Sequence, residues 1–130
     1  MSYGMTIRVP GPFESTVDRV RAALQEQGFG VLTEIDVQAT LRQKLDAEVE
    51  PYVILGACNP PLAKRALDAD REIGLLLPCN VVVRADGPSR VLVQALDPQI
   101  MVQVTERAEL REIADEATIR LRAALHALAA

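Results

Sequence analysis

The C-terminal part of the sequence constrains the fold most, because its apolar side chains repeat with the period of an α-helix. At about 100° per residue they form one stripe, which consists of Leu110, Ile113, Ala114, Ala117, Leu121, Leu125 and Leu128. An amphipathic helix buries such a stripe against another element. We predict a helix over residues 107–127 that packs across a sheet, with Ile119 and His126 on its outer, solvated face.

The N-terminal part has the pattern of a strand followed by a helix. Residues 6–9 alternate between polar and apolar side chains, and a Pro-Gly-Pro sequence ends the strand. Ser15 and Asp18 have the spacing of a capping box, and Gly28 is a suitable left-handed residue for a helix end. We therefore predict a helix over residues 16–27.

Strand patterns follow at four more places along the chain. They cover residues 29–35, 52–57, 80–84 and 90–96. The strand over residues 52–57 is nearly all apolar, so we expect both of its faces to be covered. Residues 100–104 are predicted to form a sixth strand or an extended segment.

Two short helices are predicted between these strands. Val37, Leu41 and Leu45 repeat at helical spacing. Asn59 followed by Pro60 is typical of a helix start, since asparagine caps the first N–H groups and proline has no N–H to leave unpaired. Because strands and helices do not alternate regularly, the sequence predicts one α+β domain over residues 1–130.

The composition indicates a globular protein that binds neither nucleic acid nor membranes. Of the 130 residues 49% are hydrophobic and 25% charged, and the net charge is -4. Lysine and arginine clusters bind polyanions, and the sequence has no basic run. The longest apolar run, residues 73–77, is far shorter than a membrane span. The first six residues lack a signal-peptide pattern, so we expect free thiols and a cytoplasmic location.

Two central segments resemble a known family, domain of unknown function 302. They are residues 52–60, YVILGACNP, and residues 73–83, IGLLLPCNVVV. The helix end at Gly28 and the turn at Asp97 and Pro98 are also similar to that family, so the resemblance covers essentially the whole chain. It implies a β-α-β4-α arrangement, similar to one repeat of the TATA-binding-protein fold. It also implies an antiparallel sheet covered by the N-terminal and the long C-terminal helices, and a homodimer. It implies no activity, and DNA binding does not follow from a fold.

Cys58 is the residue most suggestive of chemistry. It precedes Asn59 at a predicted helix start, where unpaired N–H groups and the helix dipole favour a thiolate. A functional Cys58 is a nucleophilic, redox-active or sulfur-carrying thiol. The alternative is a small apolar side chain that only packs at a strand end.

Cys79 stands in a similar place, because it also precedes an asparagine, Asn80. If the third and fourth strands pair antiparallel, as the resemblance implies, Cys58 and Cys79 lie at one edge of the sheet. Two thiols suit a reversible disulfide or a soft ion such as Cu(I). A structural zinc site needs four ligands, and the chain has two cysteines and one histidine. We expect neither a metal nor a cofactor.

Three functions remain open. The first, which we favour, is a homodimeric small-molecule-binding or accessory protein with a pocket bordered by Cys58, Asn59, Cys79 and Asn80. The second is a thiol-dependent enzyme or sulfur carrier that uses Cys58 with Cys79 as its resolving partner. The third is a structural or interaction protein whose cysteines only pack. The sequence has no serine nucleophile elbow, phosphate-binding loop or metalloprotease motif, which favours a protein without enzymatic activity.

Overall fold

Five strands form one antiparallel sheet in the computed structural model, which describes residues 3–129. The strands are β1 (Gly4–Pro10), β2 (Gly30–Asp36), β3 (Tyr52–Cys58), β4 (Cys79–Ala85) and β5 (Arg90–Leu96). They lie in the order β1-β5-β4-β3-β2, and each neighbouring pair is antiparallel. The predicted α+β class, with one strand before the first helix and four after it, is confirmed.

Five α-helices and two 3₁₀ turns connect or follow the strands. The helices are α1 (Phe13–Glu26), α2 (Val37–Leu45), α3 (Pro60–Ala69), α4 (Gln99–Thr105) and α5 (Arg111–Ala129). The 3₁₀ turns are Arg71–Leu76 and Ala108–Leu110. Within residues 3–129, no helix has the length and apolar character that crossing a membrane requires.

The main core lies between one face of the sheet and the helices α1 and α5. It contains alternate strand residues and the apolar stripes of both helices, including Val53, Leu55, Val81, Val83, Val93, Val20, Leu24, Leu121 and Leu125. All residues of the stripe predicted for the last helix are buried, but α5 begins at Arg111, four residues later than predicted, and Leu110 lies in the 3₁₀ turn before it. Ile119, 69% exposed, and His126 lie on the outer face as predicted.

A second apolar cluster lies beside the end of the sheet at which β3 finishes. It joins α3, α4, both 3₁₀ turns and the first half of α5, through Leu62, Ala66, Ile73, Met101, Leu110 and Ile113. The cluster packs α4 and the first half of α5 against the residues that follow β3, and it thereby forms one wall of the candidate site described below.

The first helix begins three residues earlier than predicted. It starts at Phe13, after Pro12, and no side chain caps it, so the predicted capping box of Ser15 and Asp18 is wrong. The hydroxyls of Ser15 and Thr16 instead donate hydrogen bonds back to the Pro12 carbonyl, at 3.2 and 2.8 Å. The helix end agrees with the prediction, because Gly28 has a φ of 84° and the N–H of the next residue bonds back into the last turn.

Residues 99–105 form helix α4, so the predicted sixth strand or extended segment over residues 100–104 is wrong. Asp97 starts the turn: its side chain and its carbonyl accept hydrogen bonds from the N–H groups of Gln99 (2.9 Å) and Ile100 (3.0 Å). The buried side chain of Met101 then holds the helix in the second cluster. Tertiary packing outweighs the strand preference of the β-branched residues here.

Strand β3 has one buried face and one partly open face. Val53, Leu55 and Ala57 point into the main core and are at most 7% exposed. On the other face Tyr52 and Ile54 are half-buried. The expectation that both faces are covered is therefore met on the helix side only.

Candidate functional site

The pairing of β3 with β4 brings the two cysteines to the same edge of the sheet. The strands are antiparallel, and Ala57 lies directly opposite Cys79. Cys58 follows Ala57 at the end of β3, and both thiols are half-buried and not joined by a disulfide. Cys58 also influences the pKa of Cys79, so the two thiols lie near each other although 20 residues separate them in the sequence.

Both cysteines line a small apolar cavity between the strand ends and the helices α3, α4 and α5. Its volume is about 30 Å³, and its wall includes Cys58, Asn59, Cys79 and Met101. The other side chains of the wall are apolar. A cavity of this size holds a water molecule or an ion, but not an organic metabolite.

Asn59 caps helix α3 as predicted, and it accepts two hydrogen bonds from the first turn of the helix. Its side-chain oxygen accepts from the N–H of Leu62 at 3.3 Å, and its carbonyl accepts from the N–H of Ala63 at 2.9 Å. The two residues before Leu62 are prolines, which have no N–H. At positions 60–63, therefore, each backbone N–H is either absent or already bonded within the first turn of α3.

Cys79 is poorly suited to act as a nucleophile. Burial, together with the nearby Cys58, raises the pKa of the Cys79 thiol from 9.0 to about 11. The thiol form consequently dominates at neutral pH, whereas the thiolate is the reactive species. No lysine, arginine or histidine lines the cavity to reverse this effect.

Asn80 lies on the other side of the sheet from the cavity. It is opposite Gly56 in the β3–β4 register, it is exposed, and it is not part of the cavity wall. Consecutive residues of a strand point to opposite faces, so Cys79 and Asn80 face different environments. Of the four residues predicted to border one pocket, the structure brings together Cys58, Asn59 and Cys79 and separates Asn80 from them.

Asn80 instead lines an open groove of about 520 Å³ on the face of the sheet opposite α1 and α5. The groove also contains Tyr3, Tyr52 and Gln94, and its remaining walls are formed by Gly4, Val82, Ala95 and Leu96. No charged side chain lines it. The chain has only two tyrosines and no tryptophan, so both of its polar aromatic rings lie in this groove.

Sequence reasoning did not identify Tyr3, Tyr52, Gln94 or Met101. Two of the three groove residues, Tyr52 and Gln94, were detectable in part. They occupy positions on their strands that face the same side of the sheet as Asn80. In the register, Gln94 lies opposite Val82, two residues from Asn80. Met101 carried no usable signal, because its position depends on the helix α4 that the sequence pattern did not predict.

The described residues contain no group of three or more His, Cys, Asp or Glu side chains that could hold a metal ion. The cavity wall brings two cysteines together with a methionine, whose thioether is a further soft ligand.

Comparisons with known proteins agree with this architecture. The family described as Domain of unknown function DUF302 matches residues 5–128. A structure described as "Crystal structure of uncharacterized conserved protein DUF302 from Bacillus stearothermophilus" is similar over 98% of this chain and 99% of that chain, with a TM-score of 0.91 and 30% sequence identity. The comparison with curated proteins found no match.

Proposed function

Since the chain belongs to the DUF302 family, whose description assigns no activity, we propose from its own geometry that it is a homodimeric small-molecule-binding protein whose ligand occupies the sheet-face groove. One observation carries this proposal: two phenol rings and two carboxamides converge on one open groove of about 520 Å³. Ligand sites typically have volumes of about 300–1,000 Å³ and combine apolar walls with a few polar groups. The Cys58–Cys79 cavity is too small for such a ligand.

The wall of the groove indicates the class of ligand. Tyr3 and Tyr52 offer flat apolar surfaces with a hydroxyl at the tip, and Asn80 and Gln94 offer both donors and acceptors. Because no charged side chain lines the groove, it has nothing to pair with an ionised ligand. We therefore expect a small uncharged molecule with one flat face and several hydrogen-bonding groups.

The groove favours binding over catalysis. It is lined by no carboxylate, histidine or thiol, and these are the groups that most often act as general acids, general bases or nucleophiles. Carboxamides do not exchange protons at neutral pH. For the thiol-dependent alternative that uses Cys58, the cavity offers no base or cation, since no histidine, lysine or arginine lines it.

Exposed apolar side chains on the edge strand β2 support the proposed dimer. Leu32 and Ile35 on the edge strand β2 are 69% and 49% exposed, and an exposed apolar edge strand is a common site of pairing. A two-fold pairing there would bury the same patch of both copies. The groove lies on β5, β4 and β3, so it would stay accessible in such a dimer.

We expect neither nucleic acid nor membrane surfaces among the partners. The chain carries a net charge of -4, and its groove has no cation to contact a phosphate. Two adjacent thiols that are not joined by a disulfide suit a reducing compartment, so we propose a cytoplasmic location.

The experiment is a binding screen that uses the tyrosines as reporters. Because Tyr3 and Tyr52 are the only tyrosines and there is no tryptophan, near-ultraviolet fluorescence reports on the groove directly. Uncharged monosaccharides and uncharged heterocyclic amides such as nicotinamide are titrated, and each hit is measured again by calorimetry. We expect a hit whose affinity falls at least about tenfold in Asn80→Ala, the loss of about one good hydrogen-bonding group.

The matched control is Gln25→Ala, an exposed amide on helix α1 far from the groove. It should leave binding unchanged. A hit that binds Asn80→Ala and Tyr52→Ala as tightly as the parent protein contradicts the proposed site. Rapid alkylation of Cys58 below neutral pH would instead support the thiol-dependent alternative.

A further inference from the structure

Three sulfur-bearing residues line the small cavity, and the proposed ligand groove does not account for them. Cys58 and Cys79 come from the ends of β3 and β4, and Met101 comes from helix α4. The chain has two cysteines and three methionines in all, so three of its five sulfur-bearing residues lie at one place. Met101 is only 5% exposed, and its thioether is therefore shielded from water.

The side chains that line the cavity favour a soft metal ion. Thiolate and thioether ligands prefer Cu(I), whereas Mg²⁺ and Ca²⁺ prefer oxygen ligands. Zinc prefers four ligands drawn from cysteine, histidine and carboxylates, and no group of even three such side chains occurs within residues 3–129. The only polar side chain of the wall, Asn59, already caps helix α3 through its oxygen.

The size of the cavity also favours a single ion as the ligand. A volume of about 30 Å³ is too small for an organic ligand and sufficient for one ion surrounded by sulfur. Cys58 is half-buried, which leaves a path from solvent to the first sulfur.

We propose that the cavity binds one Cu(I) ion through the sulfur atoms of Cys58, Cys79 and Met101. Each cysteine that becomes a ligand loses its thiol proton to solvent as its sulfur–copper bond forms. Copper enters and stays as Cu(I), so no electron is transferred. Met101 contributes a neutral thioether and releases no proton.

The test uses the reduced, metal-free full-length chain under anaerobic conditions. Cu(I) is supplied as its coloured bicinchoninate complex, and transfer to the protein is followed by loss of that colour. We expect one Cu(I) per chain, no transfer to Cys58→Ser–Cys79→Ser, and at least a tenfold weaker affinity in Met101→Leu. Met101→Leu is close to conserving volume, so it should remain folded.

The matched control is Met5→Leu, a half-buried methionine on β1 that packs against the main core instead of the cavity. It should bind copper like the parent protein. The proposal is overturned by failure of the parent protein to take copper from bicinchoninate or by equal affinities of Met101→Leu and Met5→Leu. Circular dichroism of the double serine variant shows whether its loss of binding occurs in a folded chain. Should that variant be unfolded, the comparison of the two leucine variants still decides the question.

Discussion

Cys79 and Asn80 are consecutive residues of β4, yet they belong to different sites on opposite faces of the sheet. Cys79 lies opposite Ala57 and lines the apolar cavity, while Asn80 lies opposite Gly56 and lines the open groove. The alternation of side chains along a strand is the reason. A ligand in the groove and an ion in the cavity would therefore be separated by the thickness of the sheet.

The last helix should be a major source of stability. Leu121 is 1% exposed in the main core, whereas Ile119 on the same helix is 69% exposed. We expect Leu121→Ala to lower the free energy of unfolding by about 2–5 kcal/mol and Ile119→Ala to change it by less than about 0.5 kcal/mol. Urea denaturation of both variants measures the difference. Equal losses would mean that α5 does not pack as described.

A methyl group added at Gly56 should lower the stability of the fold. A Cβ at this position would lie 2.2 Å from the Thr33 hydroxyl oxygen and 2.9 Å from a ring carbon of Pro78. Gly56→Ala should therefore destabilise the chain by about 1–3 kcal/mol, the usual cost of overpacking. Gly30→Ala is the control, because nothing lies within 4 Å of a Cβ there. Thermal unfolding of the two variants should separate them clearly.

The Cys79 thiol should make stability depend on pH in alkaline solution. Its pKa is 9.0 in the absence of the fold and about 11 within it, so the folded state keeps the proton longer than the unfolded state does. The resulting stabilisation is complete below pH 9 and is lost as pH rises from 9 to 11. Two pK units correspond to about 3 kcal/mol.

Cys79→Ala isolates this contribution, because it removes this thiol and leaves every other ionisable side chain in place. We expect the free energy of unfolding to fall less steeply between pH 9 and pH 11 in the variant than in the parent. Parallel curves would show that the thiol ionises equally in both states. Alkylation by iodoacetamide at pH 7 should likewise modify Cys79 slowly.

The chain should be a homodimer of 14.2 kDa subunits in the presence of reductant. Sedimentation equilibrium at micromolar concentration measures the mass and excludes association through intermolecular disulfides. We expect Ile35→Lys to shift the protein to monomers, because a charge would be placed in the apolar edge of β2. Ile119→Lys should leave the dimer intact. The reverse result would place the interface on the outer face of α5, and a parent protein with the mass of one chain would contradict the dimer.

The sequence alone determined where most elements lie and which face of each element is buried. The stripe that ends at Leu128, the start of α3 at Asn59 and the helix end at Gly28 were all predictable. These features depend on the period of a helix and on capping by neighbouring residues, which act within a few positions of the chain. Local geometry is sufficient to specify them.

Only the tertiary structure decided which residues share a site. Met101 joins the thiols because packing against the second cluster makes residues 99–105 helical despite their strand preference. Tyr52 joins Asn80 because β3 pairs with β4 although 20 residues separate the two strands in the sequence, whereas Gln94 comes from β5, the strand that directly follows β4. The same register sends Cys79 and Asn80 to opposite faces. A strand's own pattern shows that it has two faces, but the neighbouring strands and helices determine what each face meets.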